Sequence, residues 1–139
     1  MLDYKERILD EELGVLQRLK GERDQIQRQI DRLKGEFELL SQRMQRAQAE
    51  GVTILEIRGY SLQMDNIRMQ LKDLNLALQK AAKKVADQTK VVVAAHQEVS
   101  KLDKLQDKQY ESYRQSADKA EELRIEELVL LGLNHKNVG

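Results

Sequence analysis

The side chains in this 139-residue sequence best suited to proton transfer or metal ligation are two histidines, His96 and His135. A two-metal site between helices uses a Glu-x-x-His spacing on paired helices. Neither histidine has a glutamate three positions before it, and the two lie far apart in the chain. No glycine-rich phosphate loop and no nucleophile motif is present. His96 follows the run Val91-Val92-Val93-Ala94-Ala95 and reads as a residue at the boundary of an apolar face. These types and spacings argue against an enzyme, and neither a cofactor nor a metal is expected.

The remaining chemistry is that of binding. Tyr110 and Tyr113 stand close together, and aromatic residues are enriched at the centres of protein interfaces. Further on, Leu123, Ile125, Leu128, Val129, Leu130 and Leu131 concentrate apolar surface near one end of a polar chain. Charge offers no partner of its own. Lys+Arg and Asp+Glu are both 24, whereas nucleic-acid affinity rests on excess positive charge. The cluster Lys80, Lys83, Lys84 and Lys90 reads as solvated surface. Asp24/Arg28 and Glu111/Arg114 have the spacing of helical surface pairs. With no cysteine, no apolar run of membrane-spanning length and no signal-peptide pattern at the start, a soluble cytoplasmic protein is expected.

The elements that position these residues are helices. There is no proline, charged residues make up 35% and aromatic residues only 4%, which is a coiled-coil profile. Apolar residues at alternating steps of three and four trace a first seam: Leu2, Lys5, Leu9, Glu12, Leu16, Leu19, Arg23, Ile26, Ile30, Leu33, Phe37, Leu40, Met44 and Ala47. Lys5, Glu12 and Arg23 are its polar misfits. Gly14, Gly21 and Gly35 fall opposite this seam. A second seam follows the same rhythm through Tyr60, Met64, Ile67, Leu71, Leu74, Leu78, Ala81, Val85, Gln88, Val92, Ala95, Val99 and Leu102, with Gln88 its one polar residue. Beyond Leu105 the phase slips to a thinner stripe through Tyr110, Tyr113, Ala117, Ala120 and Leu123.

Between the seams lies "GVTILEIRGY", residues 51–60. Thr53 and Glu56 have capping-box spacing, and Val52 and Ile57 have hydrophobic-staple spacing, so a helix starts at Thr53. Gly51 can end the preceding helix in a left-handed conformation. Gly59 separates a short helix, about 54–58, from the long one. The expected fold is therefore all-α: one long antiparallel two-helix coiled-coil hairpin with a short capped helix at the turn and a longer second helix. Its parts are a helix at about 2–48, a turn and short helix at about 49–59, a long helix at about 60–131 and a short tail. Gly132 followed by Leu133 reads as a helix stop, with Leu133 folding back on Leu128. Folding the chain about residue 52 leaves residues 103–131 unpaired, an overhang of roughly 44 Å at 1.5 Å per residue.

Three stretches resemble the FliJ family of flagellar type III export proteins: "LDYKERILDEEL" (2–13), "GVTILEIRGYSLQMDNIRMQL" (51–71) and "SKLDKLQDKQYESYRQSADKAEELRIEELV" (100–129). The resemblance covers nearly the whole chain. Its strongest parts are the glycine turn with Tyr60 following, and the "KLxDKxxExY" segment from Lys104 to Tyr113. Family members often begin with a short aromatic and basic lead-in, whereas this chain starts almost directly on the "LDYKER"-like segment. The resemblance implies a stalk, similar to the central stalk of rotary ATPases, whose open end inserts into the hexameric ring of the export ATPase FliI. It also implies contacts with the export gate FlhA and with export chaperones. Localisation would be cytoplasmic, peripheral at the cytoplasmic face of the inner membrane at the flagellar base, and the protein alone would be a monomer. The ATPase-facing residues would be Tyr110, Tyr113, Glu121, Glu122, Leu123, Arg124, Leu128 and Leu131, beside residues 2–16. The gate-facing residues would be Tyr60, Gln63, Ile67 and Gln70. The competing reading is a coiled-coil tether that self-associates through its apolar C-terminal end.

Overall fold

The computed structural model describes the backbone of residues 1–138 and the side chains as far as Gly132. It contains two helices packed against each other: α1, Leu2–Glu50, and α2, Ile54–Val138. With 49 and 85 residues, they extend roughly 75 Å and 130 Å. Helices of this length in so polar a chain owe their stability to a packed seam more than to propensity.

Both seams are formed as read. No seam residue from Leu2 to Ala47 or from Tyr60 to Leu102 is fully exposed, the polar misfits included. The buried side chains, Leu16, Ile30, Leu33, Ala47, Met64, Ile67, Ala81 and Val85, all belong to these two lines. Ile30, only 1% exposed, is the most enclosed. Phe37 packs on the seam under the Arg68 guanidinium, 5.1 Å from its ring centre. Asp65 holds that arginine at 2.9 Å. The cation thus caps the edge of the core without being buried in it.

The turn is three residues long, Gly51 to Thr53. Gly51 is left-handed, with φ 79° and ψ 37°. The Val52 N–H donates to the Ala47 carbonyl at 3.1 Å and the Gly51 N–H to that of Gln48 at 3.3 Å. This pair of bonds is the Schellman motif, which satisfies carbonyls the helix end would otherwise leave orphaned. Thr53 then caps α2: its hydroxyl accepts from the Glu56 N–H at 3.4 Å. The return half of the capping box, in which the Thr53 N–H donates to the Glu56 carboxylate, is not among the bonds formed by the described residues. Val52 and Ile57 are both half-buried, as a staple requires.

Two local expectations are corrected. Gly59 does not separate a short helix: α2 runs unbroken through it, so residues 54–58 are simply its first turns. A glycine in a helix costs about 1 kcal/mol against alanine, and the half-buried Ile57 and Tyr60 on either side anchor the continuous helix. Gly132 does not stop α2 either. The helix continues to Val138, and Gly51 is the one glycine with positive φ among the described residues. Gly132 is not left-handed, so it forms no Schellman closure. The proposed contact of Leu133 with Leu128 lies outside the described side chains.

Candidate functional site

The paired region ends at Leu102. From Asp103 to Gly132 every residue of α2 is exposed. This bare helix carries Leu105, Tyr110, Tyr113, Leu123, Ile125, Leu128, Val129, Leu130 and Leu131. Its geometry differs from that of an amphipathic stripe. Successive residues on a helix are separated by roughly 100°, so four in a row, Leu128 to Leu131, cover most of its circumference. Leu128, 62% exposed, and Leu131, 63%, share one side, while Val129, 56%, and Leu130, 60%, face the others. A helix that is apolar all round is suited to enclosure rather than to lying on a flat surface.

Just before this tip comes a charged collar. Glu121, Glu122, Glu126 and Glu127 surround Arg124, and all are exposed. Ala117, Ala120, Glu121 and Arg124 line one shallow groove, and Ile125, Glu126, Val129 and Leu130 another. Tyr110 and Tyr113, 69% and 74% exposed, lie nearer the coil. The structure therefore places the residues read as ATPase-facing on one bare segment, with Leu123, Leu128 and Leu131 at its apolar end.

The turn-proximal set is divided. Gln63 and Gln70 are exposed, Tyr60 is half-buried, and Ile67 is 7% exposed inside the seam. Ile67 is thus a core residue, because the step of three from Met64 turns it towards α1. Tyr60 lines a shallow groove with Glu56, Gly59 and Gln63. A neighbouring feature escapes a reading confined to the seams. Leu55, Leu62, Met69 and Leu76 recur every seven residues on the side of α2 facing away from α1, and all four are exposed. The signal was present in the spacing, at the position opposite the seam.

Ion pairs among the described residues are local and exposed: Arg23–Asp24, Asp65–Arg68 and Glu98–Lys101. Arg23 occupies Asp24, and neither Asp24–Arg28 nor Glu111–Arg114 forms. No cluster of three potential metal-ligating side chains occurs among the described residues. No helix among them is long and apolar enough to cross a membrane.

No curated protein and no solved structure matches this chain. The family model described as "Flagellar FliJ protein" does, over residues 1–137. That span takes in both helices, the capped turn and the bare end, so the chain belongs to the FliJ family of flagellar export proteins.

Proposed function

We propose that this protein is a stalk of the flagellar export apparatus, with its open end inserted in the hexameric export ATPase FliI. The observation that carries this reading is the end of α2: an unpaired helix, apolar around its circumference, behind a charged collar. Such a helix hides its surface most fully inside a ring. Leu123, Leu128 and Leu131 are the anchors, and each buried leucine contributes roughly 1.5–3 kcal/mol. Glu121, Glu122 and Arg124 orient the tip, and Tyr110 and Tyr113 flank the entrance. Contact with the export gate FlhA is assigned to the turn half of α2, through Gln63 and Gln70 beside the exposed Leu62 and Met69. Export chaperones are further partners by family resemblance. The site of action is the cytoplasmic face of the membrane at the flagellar base.

The test is the ATPase rate of the ring against added stalk, for the full chain and for a chain truncated after Asp118. The truncation should keep the two-helix coil folded, as seen by circular dichroism, and should lose all stimulation. Equal stimulation by both chains would remove the tip from the contact. The same exposed leucines also favour the competing tether, which predicts a homodimer held through residues 120–131. Light scattering separates the two, since the stalk is a monomer that joins a hexamer.

A further inference from the structure

The eight buried side chains are confined to one part of the hairpin. None precedes Leu16 in α1, and none follows Val85 in α2. The open end, residues 2–15 against 86–102, is closed by half-buried residues alone. Its seam is interrupted by Lys5, Glu12 and Gln88, and its apolar members include the small Ala95.

Two of these interruptions meet. The Gln88 side-chain amide, 76 residues away in sequence, donates to the Glu12 backbone carbonyl at 3.0 Å and also to the Glu12 carboxylate. Among the described residues these are the only hydrogen bonds joining α1 to α2 outside the turn. No ion pair crosses between the helices among the described residues, since each pair formed is local. A half-buried amide beside a half-buried carboxylate satisfies needs that an apolar neighbour would leave unmet. Parting them, however, lets both groups regain water, so this contact closes an end without making it permanent. The buried core between Leu16 and Val85 has no such alternative.

We infer that the Glu12–Gln88 pair is a latch, and that the N-terminal arm of α1, residues 2–15, opens and closes on α2 as one unit. The hinge of this motion is the first buried layer, Leu16 with Val85. Opening bares Val92, Ala95, Val99 and Leu102, a line continuous with Leu105 on the overhang. The device follows from the graded seam and the single cross-helix hydrogen-bonded pair, and does not depend on any partner.

Hydrogen exchange measured by mass spectrometry on the full chain tests it. In the wild type, amides of residues 2–15 and 86–102 should exchange faster than those of 23–47 and 64–81. Gln88→Ala, which removes both bonds and leaves the Glu12 carboxylate without its partner, should accelerate both open-end segments together, by about tenfold, and leave 23–47 unchanged, given the usual cost of orphaning a partner. The double variant Glu12→Leu/Gln88→Leu replaces the polar layer by an apolar one and should slow both segments below the wild-type rate. A uniform exchange profile in the wild type would overturn the proposal. So would an effect of Gln88→Ala confined to α2, or one spread evenly over the whole hairpin. An unchanged rate in the double variant would show that the polar pair does not govern opening.

Discussion

Three residues at the turn have effects of opposite sign. Gly51 has φ 79°, where a side chain is strained, although a Cβ there would meet no neighbour. Gly51→Ala should therefore destabilise the hairpin by about 1–2 kcal/mol, the cost of a left-handed residue with a Cβ. Gly59 also has open space around it but sits in regular helix. Gly59→Ala should stabilise by about 1 kcal/mol. Thr53→Ala removes the cap of α2 and should cost about 1 kcal/mol. Urea unfolding of the three variants checks all three signs, and a destabilised Gly59→Ala would contradict the continuous helix. At this scale the sequence was only partly legible. The Thr53–Glu56 spacing announces a cap because that motif is local. Glu12 and Gln88 read as separate flaws because their meeting depends on a register that periodicity defines only to within about a turn.

The two helices differ in what their seams must do. α1 has its seam covered along its whole length, whereas α2 has a covered seam only to Leu102. The same substitution should then have unequal effects at different points. Ile30→Ala, at the most enclosed site, should cost about 2–5 kcal/mol. Leu128→Ala, on the bare segment, should leave the unfolding midpoint nearly unchanged while weakening any capture of the tip. Thermal unfolding of the two variants reads the contrast directly, and a matching loss at Leu128 would mean that the tip is covered within the molecule. The extent of both seams could be read from the sequence because a step of three and four leaves few alternatives over many turns. The turn half of α2 was harder. By resemblance Ile67 is a gate-facing residue, but the rhythm that includes it in the seam already places it in the core. The line of Leu55, Leu62, Met69 and Leu76 is faint in the sequence because a single residue per seven is too sparse to show as a stripe beside a full seam.

As a whole the molecule is two rods joined end to end. One is a pair of interlocked helices, and the other is a lone helix continuing from it. Light scattering on the full chain should give the mass of one copy, 16.1 kDa, if the apolar tip is kept for a partner of another kind. A dilution-resistant dimer would favour the tether. The join at Leu102 also has a mechanical consequence. A lone helix bends by small changes in its own hydrogen bonds. A pair can bend only if its members slide along one another, and interdigitated side chains resist that movement. Flexural stiffness therefore falls abruptly at the join. Loaded from the side, the shaft keeps its line while the lone helix yields just past Leu102. Turned about its long axis, each part is still held by hydrogen bonds that wind with the backbone, so twist is transmitted where bending is absorbed. The chain combines a rigid spindle with a compliant tip, an arrangement that tolerates misalignment between whatever grips its two ends.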